Sequence, residues 1–405
     1  MTIYPFLVAG TFGLVIAYLL TPVVGWLATQ MGVLDRPGGR HIHRVPVPRL
    51  GGLAIYLAFV AAVLVGLPVE RPIHVAFESH RITVIIPYLP AIDRPIVALL
   101  LGATVITLVG ALDDIRGTRP LIKLAGQIVA AAVLLPFGVG MDVLTNPLGG
   151  MFFVGPLGAI VTVAWIVALC NVMNLIDGVD GLASGIAAIA GATLLVASYH
   201  RGDVGTAILA AALAGSALGF IPYNFNPARI FLGDTGSMLL GYLLGALSVL
   251  GTYKSYTALS LLVALAALGV PVTDTAFAIA RRWRNHRPIF EADTQHLHHR
   301  LLARGLTPRQ TTAVLYLVTG ILSAGALMVT GVGRFPIIAI LGLLLALLAL
   351  GARRTGLLMP PPLAAPAASV APDLPGSPPL VPGSVPPAAA VPGLPARTDS
   401  GSSER

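Results

Sequence analysis

Residues 157–199 read LGAIVTVAWIVALCNVMNLIDGVDGLASGIAAIAGATLLVASY, two apolar runs joined by a short segment that holds two Asn and two Asp residues. Each run approaches the about 20 residues that an α-helix needs to cross the hydrocarbon core of a bilayer. Backbone polar groups in lipid must be satisfied within their own segment, and neither run alternates as a barrel strand does. The stretch therefore predicts two transmembrane helices joined by a polar loop.

The rest of the chain has the same character. Of its 405 residues, 56% are hydrophobic and 10% are charged, and the mean hydropathy of +0.86 lies outside the range of a soluble domain. We therefore predict an all-α polytopic membrane protein, a bundle of about 11 transmembrane helices. The predicted spans lie near 4–29, 50–67, 95–112, 121–139, 157–175, 181–199, 205–223, 236–253, 256–281, 312–331 and 335–352.

The distribution of positive charge predicts the orientation. The loops after the first, third, fifth, seventh and ninth spans share one face and, with their borders, hold fifteen Lys and Arg residues, against six on the other face. Because Lys and Arg resist translocation, we predict that the first face is cytoplasmic, that the N-terminus lies outside and that the C-terminus lies in the cytoplasm. The positive charge follows this membrane rule, so no nucleic-acid partner is expected.

The loop after the first span reads DRPGGRHIHRVPVPRLGG over residues 35–52. Its Pro and Gly residues would stiffen it, and the mixture of Asp35, His43 and Arg49 would present donors to an anion. The alternative is a basic loop that only obeys the positive-inside rule.

Adjacent carboxylates, Asp113 and Asp114, end the third span, and Lys123 follows on the fourth. Two neighbouring carboxylates repel each other and are costly to desolvate, so they require a compensating cation or a raised pKa. The pattern indicates a divalent cation held by oxygen ligands, with one carboxylate left as a base. A solvated helix end is the alternative.

The loop between the two quoted runs carries its polar residues at strict intervals of three. Asn171, Asn174, Asp177 and Asp180 would lie along one stripe of a helix or tight turn. Amides can pair with a nucleobase edge, and carboxylates can bind Mg²⁺ or ribose hydroxyls. Four polar groups in an apolar region favour a binding site over packing.

The last two loops of this face add a helix start and a His cluster. In IFLGDTGSMLLG, residues 230–241, Asp234 and Thr235 stand where an eighth helix would offer its N–H groups to a phosphate, although Asp234 could equally be an N-cap. The fifth loop contains His296, His298 and His299 followed by Arg300. Without thiolate ligands, contacts to phosphate or sugar are favoured over a Zn²⁺ site.

Five motifs in this order resemble those of the polyprenyl-phosphate N-acetylhexosamine-1-phosphate transferases, glycosyltransferase family 4. They are DRPGGRHIHRVPVPRLGG, GALDDIRG, NVMNLIDGVDGLASG, IFLGDTGSMLLG and HLHHRL, and the resemblance covers roughly residues 1–350. Members place a sugar 1-phosphate on a lipid carrier. The resemblance is to the bacterial enzymes that use UDP-GlcNAc and undecaprenyl phosphate.

The resemblance implies roles for these residues. Catalytic roles fall to Asp113, Asp114, His298 and His299, and metal binding, of Mg²⁺ or alternatively Mn²⁺, to Asp234 and Asp114. Binding of the UDP-N-acetylhexosamine and of polyprenyl phosphate falls to Asp35, His43, Arg49, Lys123, Asn171, Asn174, Asp177, Asp180, Thr235, His296 and Arg300.

Composition, charge and the resemblance together predict how the chain is organised. Residues 1–355 would form a transmembrane catalytic domain of the bacterial inner membrane with its active site on the cytoplasmic face. The Pro- and Ala-rich residues 356–405 would form a disordered cytoplasmic tail, because they cannot bury enough apolar surface to offset the entropy of ordering. The sequence is also compatible with a homodimer.

Two other functions compete with GlcNAc-1-phosphate transfer. The first is transfer from UDP-MurNAc-pentapeptide in peptidoglycan synthesis, whose enzymes resemble this chain less closely in the first and fifth loops. The second, of another class, is an ion-coupled transporter, which also places carboxylates in a helical bundle. A transporter would hold them near mid-membrane, whereas here they end the spans on one face.

Overall fold

The computed structural model describes residues 3–35, 46–70, 73–77, 80–84, 93–145, 151–255, 261, 264–266, 268–284 and 297–330. The helices of this part are α1 (Tyr4–Gln30), α2 (Gly51–Glu70), α3 (Arg94–Arg116), α4 (Pro120–Ala132), α5 (Leu157–Ile176), α6 (Leu182–His200), α7 (Val204–Asn224), α8 (Gly233–Ser255), α9 (Gly269–Arg284), α10 (Leu297–Ala303) and α11 (Pro308–Thr330).

The helices confirm the prediction of an all-α polytopic membrane protein. In the described part, eight helical segments are long and apolar enough to cross a membrane, and α2 contributes a shorter apolar run, Gly51–Leu67. The predicted span 256–281 corresponds in its second half to α9. The predicted span 335–352 and the tail 356–405 lie outside the described residues, so the count of eleven and the nature of the tail stay predictions.

Three short antiparallel hairpins accompany the helices. The strands β1 (Leu34–Asp35) and β2 (Val47–Pro48) pair between α1 and α2. The pairs β3 (Ile73–Phe77) with β4 (His80–Val84), and β5 (Val143–Thr145) with β6 (Met151–Phe153), lie in the second and fourth loops. No strands were expected there from the sequence. Residues 73–84 are rich in β-branched side chains, which favour strands, but the segment is too short to have stood out beside the apolar runs.

Helix α8 forms the centre of the bundle. Its apolar window is 94% buried, whereas that of α1 is 28% buried and leaves large side chains such as Trp26 facing outward, as lipid contact allows. Glycines bring neighbouring helices onto α8. A Cβ atom at Gly52 of α2 would lie 2.1 Å from the backbone nitrogen of Gly236, and one at Gly110 of α3 would lie 2.5 Å from Cα of Thr235. Small residues permit such close backbone approach between membrane helices.

The beginnings and ends of successive helices meet at one end of the bundle. The backbone N–H of Gly52 donates to the carbonyl oxygen of Leu232 at 2.9 Å, so the start of α2 lies beside the start of α8. Side-chain contacts add the end of α3, the start of α4 and the end of α5. We call this the polar end of the bundle, defined by Arg49, Asp113, Asp114, Lys123, Asn174 and Asp234. It gathers loops that the sequence assigned to a single face.

Candidate active site

Asp113 lies in the last turn of α3 and is held by the turn that follows. Its Oδ1 accepts hydrogen bonds from the backbone nitrogen of Thr118 at 2.8 Å and from the Thr118 hydroxyl at 2.6 Å. Its Oδ2 forms an ion pair with Nζ of Lys123 at 2.7 Å. The short turn between α3 and α4 therefore fixes this carboxylate against a cation one helix further along the chain.

Lys123 bridges two carboxylates that are far apart in the sequence. Besides Asp113, its ammonium group donates to Oδ2 of Asp234, at the start of α8. The Lys123 side chain is 27% exposed, and those of Asp113 and Asp234 are 9% and 15% exposed. Because partly buried carboxylates need a compensating charge, Lys123 holds together a pair that would otherwise repel.

Asp114 faces a different neighbour from Asp113. Its Oδ1 accepts from the backbone nitrogen of Asp234 at 3.0 Å, and its Oδ2 accepts from the backbone nitrogen and the hydroxyl of Thr235, at 2.9 and 2.6 Å. The Arg49 guanidinium lies 3.5 Å from Oδ1, and the Asp114 side chain is 0% exposed. The carboxylate thus occupies the N-terminal end of α8, where a helix has N–H groups without an intrahelical partner.

Amides of α5 complete the contacts of Asp234. Nδ2 of Asn174 donates to Oδ1 of Asp234 at 3.1 Å and to the hydroxyl of Ser237 at 2.9 Å. One turn earlier, Nδ2 of Asn171 donates to Oε1 of Gln127 on α4 at 2.7 Å. The side chain of Asp234 therefore forms hydrogen bonds with Lys123 of α4 and Asn174 of α5, and it does not cap its own helix.

Asp177 follows α5 directly and closes the group. Burial raises its carboxyl pKa well above the model-compound value of 3.8, and the nearby negative charges of Asp234 and Asp114 raise it further. A carboxyl group in such a field binds a proton unless a cation is brought close. The spacing of three residues that singled out Asp177 therefore does place it within electrostatic reach of the polar end.

The three carboxylates can converge on one cation. One oxygen of each of Asp113, Asp114 and Asp234 lies within 4.8 Å of the others. Carboxylate oxygens are the ligands that Mg²⁺ and Mn²⁺ prefer, so the donor set fits a divalent cation. Asp234 is better placed than Asp114 to bind a cation, because both oxygens of Asp114 already accept hydrogen bonds from α8.

Asp180 ties loops together. Its Oδ2 accepts from Nδ2 of Asn226 at 2.8 Å and from the backbone nitrogen of Ala228 at 3.0 Å. The hydroxyl of Thr312 on α11 donates to its backbone oxygen at 3.3 Å, and Nε of Arg309 donates to the backbone oxygen of Asn226 at 2.8 Å. The loop between α5 and α6 is thereby joined to the one before α8 and to the start of α11. Its role in substrate binding stays a prediction.

The remaining predicted residues are placed unevenly. Asp35 lies 3.9 Å from Arg49 in an ion pair, so the two described members of the first loop meet beside Asp114. Arg300 lies on α10, as do His298 and His299, whose side chains are not described. His43 and His296 lie outside the described residues. The roles predicted for Arg300 and for these four histidines therefore stay predictions.

Asp274 was missed by the sequence analysis. It lies on α9, is 7% exposed, and its Oδ1 accepts from the backbone nitrogen of Leu297 at 2.9 Å, which anchors the start of α10 and its His residues. The signal was present: a charged residue inside an apolar stretch is costly and therefore functional or paired. It was hidden because it stood within a predicted span.

Comparisons with known proteins agree with this architecture. Residues 96–252 match the family described as Glycosyl transferase family 4. The chain is 37% identical over 351 residues to a Bacillus subtilis (strain 168) protein named probable undecaprenyl-phosphate N-acetylglucosaminyl 1-phosphate transferase, with 86% of this chain and 92% of the relative covered. It is 38% identical over 348 residues to the decaprenyl-phosphate N-acetylglucosaminephosphotransferase of Mycobacterium leprae (strain TN), with 78% and 82% covered.

A more distant relative extends the comparison. The undecaprenyl-phosphate alpha-N-acetylglucosaminyl 1-phosphate transferase of Escherichia coli (strain K12) is 25% identical over 307 residues, covering 74% of this chain and 77% of that one. The resemblance carried by the five loop motifs is thus confirmed over most of the chain. With its membrane helices and the carboxylates gathered at their ends, the chain belongs to glycosyl transferase family 4.

Proposed function

We propose that the protein transfers GlcNAc 1-phosphate from UDP-GlcNAc to polyprenyl phosphate, with release of UMP, at the cytoplasmic face of a bacterial inner membrane. The names of the relatives in three genera support this substrate pair. The observation that carries the proposal is the Lys123 bridge between Asp113 and Asp234 at the polar end of the bundle. A group-transfer site for anionic reactants needs such paired, partly buried charges.

The reaction joins two anions. An oxygen of the lipid phosphate attacks the β-phosphorus of the nucleotide sugar, a new P–O bond forms, and the bond to the UMP oxygen breaks with its electron pair leaving on UMP. Positioning and charge compensation dominate such phosphoryl transfers. Both oxygens of Asp114 accept hydrogen bonds from the start of α8, whereas Oδ2 of Asp113 contacts the partly exposed Lys123 side chain. We therefore assign to Asp113 the role of the base that keeps the lipid phosphate ionised.

Cationic side chains compensate the charge of both reactants. Lys123 lies between the carboxylates, and Arg49 presents a guanidinium that is 36% exposed beside Asp114. Guanidinium groups bind phosphate in a bidentate manner, so Arg49 is suited to the diphosphate or to the lipid phosphate. Arg300 and the His residues of α10 would add further donors for the phosphate groups.

A divalent cation fits among these carboxylates, and we propose Mg²⁺, with Mn²⁺ able to replace it. Asp234 would be its principal ligand, since its carboxylate faces Asp113 and not its own helix. When bound, the cation supplies charge neutralisation for the diphosphate. Asn171 and Asn174 of α5, and Asp177 directly after this helix, would contact the uridine nucleotide. A homodimer stays a prediction of the sequence.

The test is release of UMP by the purified full-length protein with polyprenyl phosphate and Mg²⁺, run in parallel with UDP-GlcNAc and UDP-MurNAc-pentapeptide. We expect UMP with UDP-GlcNAc, dependent on both the lipid phosphate and Mg²⁺. Faster release from UDP-MurNAc-pentapeptide would transfer the assignment to peptidoglycan precursors. Uptake of solute into vesicles without any UMP would identify a carrier and overturn the proposal.

A further inference from the structure

The adjacent aspartates of α3 are chemically alike but differently placed. The Asp113 side chain is 9% exposed and pairs with Lys123, which is 27% exposed, whereas the Asp114 side chain is 0% exposed. A carboxylate has about four lone-pair directions. In Asp114, three of them receive hydrogen bonds from Asp234 and Thr235, and Arg49 lies against the fourth. Little capacity remains for a metal ion or for a proton from the lipid phosphate.

The three hydrogen bonds all come from the first turn of α8. A cap residue normally belongs to the loop before its helix and accepts from N–H groups two or three residues on. Here the acceptor comes from another helix. The negative charge of Asp114 also lies at the positive, N-terminal end of the α8 dipole, which stabilises the charged carboxylate.

Two glycines show that this contact shapes the backbone around it. Gly233 has a φ of +71°, and a Cβ atom there would lie 2.4 Å from Oδ2 of Asp114. A Cβ atom at Gly110, one turn before Asp114, would lie 2.5 Å from Cα of Thr235. Only residues without a side chain let α3 approach the start of α8 closely enough for Asp114 to reach two successive backbone N–H groups.

We propose that Asp114 is a positioning residue that caps α8 from outside the helix and thereby holds Asp234 in register with Lys123 and Asp113. The proposal rests on the proposed function, in which Asp234 is the metal ligand. On this proposal Asp114 acts on the protein and not directly on the reactants. The outer groups that orient a metal ligand typically contribute about 10- to 100-fold to metal affinity or activity.

The experiment is a double-mutant cycle between Asp114→Asn and Thr235→Val in the full-length protein. Asn cannot serve all three donors, because its amide NH₂ would face an N–H group in either orientation. Val removes only the Thr235 hydroxyl, and Thr235→Ser keeps it as the conservative rescue. Asp203→Asn is the matched control, because Asp203 caps α7 within its own loop, with Oδ1 accepting from the backbone nitrogen of Thr206 at 3.2 Å, and Asn is a good N-cap.

The first readout is Mn²⁺ binding, measured by electron paramagnetic resonance without substrates. We expect the Kd to rise about 10- to 100-fold in Asp114→Asn, less in Thr235→Val, and no further in the double variant, with Thr235→Ser and Asp203→Asn close to wild type. The second readout is the pH profile of UMP release. We expect a lower kcat in Asp114→Asn with the acid limb unchanged.

Other outcomes overturn the proposal in separate ways. Loss of the acid limb with normal Mn²⁺ affinity would make Asp114 the base. Loss of Mn²⁺ binding that simply adds to the Thr235→Val effect would make it a direct ligand. A lower melting temperature with unchanged Kd and kcat would leave only a role in stability.

A metal-free measurement separates this proposal from the proposed function. Hydrogen exchange at the amides of Asp234 and Thr235 should accelerate in Asp114→Asn, and unchanged exchange would refute the cap. If the wild type binds no Mn²⁺ or releases no UMP, the proposed function fails, while the exchange data still decide whether Asp114 caps α8. If Asp114→Asn does not fold, Thr235→Val and Thr235→Ser carry the test alone.

Discussion

Replacing Asp234 by Asn is the sharpest perturbation of the proposed chemistry. The amide keeps the size of the side chain and an oxygen that can accept from Asn174, whose Nδ2 lies 3.1 Å from Oδ1 of Asp234 in the wild type. It removes the negative charge that faces Lys123. Lys123 keeps Asp113 as a partner at 2.7 Å. We therefore expect a folded protein with a damaged cation site.

The expected loss follows from the charge that is removed. Two unit charges about 4 Å apart in a partly exposed site interact by about 4 kcal/mol, which corresponds to roughly three powers of ten in rate. Removal of a key electrostatic group in other enzymes costs about 10²- to 10³-fold in kcat. We predict a fall of about 10²- to 10³-fold for Asp234→Asn.

The assay is UMP release by detergent-purified variants over a Mg²⁺ titration, with melting curves as a check of folding. Asp142→Asn is the control, since it makes the same chemical change at an exposed residue at the opposite end of the bundle. If Asp234 only stabilised the start of α8, Asn would replace it at almost no cost. A near-normal rate at ordinary Mg²⁺ would therefore refute the metal assignment.

Four further predictions address the bundle and its edges. Without divalent cations, Asp177→Asn should raise the melting temperature at pH 8, and this gain should vanish as the pH falls toward 4. The pKa of Asp177 is higher in the folded than in the unfolded protein, so the folded protein loses stability as the pH rises above the unfolded value of 3.8. Asn does not titrate and therefore removes this loss. Gly52→Ala should strongly destabilise the protein in thermal unfolding, because its Cβ would lie 2.1 Å from a backbone nitrogen of α8, whereas Gly320→Ala in α11 should be neutral or slightly stabilising, since nothing lies within 4 Å. Asp274→Ala should slow UMP release about tenfold or more by freeing the start of α10, and Asp274→Asn should retain more activity because its oxygen can still accept from Leu297. A reporter fused after Arg287 should be cytoplasmic and one fused after Asp203 outside; finding both on one side would contradict the orientation.

Hydropathy predicted most of the helices because lipid imposes one simple requirement on a spanning segment. Of the eleven predicted spans, the first eight correspond to α1 through α8 with ends that differ by a few residues. The clearest difference is α4, which ends at Ala132 and is followed by a 3₁₀ turn over Leu135–Phe137, where the sequence predicted a helix to 139. Pro136 lacks an N–H group, so the α-helical pattern ends before it.

The sequence could not predict which of the two adjacent aspartates contacts Lys123. Asp113 and Asp114 are adjacent, and adjacent residues of a helix point about 100° apart, so only one of them can face Lys123. Which one does so depends on the rotation of α3, and that rotation is set by the contact of Gly110 with α8. The sequence also left open whether Asp234 caps its own helix. In the structure the backbone nitrogens of Asp234 and Thr235 donate to Asp114 instead, whereas the proposed role of Asp234 as a metal ligand stays a prediction.

The charge balance of the polar end is the physical argument for the proposed divalent cation. The carboxylates of Asp113, Asp114, Asp177 and Asp234 lie within electrostatic reach of one another. Among the residues that the structure describes, Lys123 and Arg49 contact or neighbour them. A nucleotide diphosphate and a lipid phosphate would add still more negative charge to a partly buried space. A divalent cation relieves both problems at once, because it lowers the pKa of Asp177 and attracts the diphosphate. Cation binding should therefore precede or accompany nucleotide binding, and it should release a proton in proportion to the protonated fraction of Asp177.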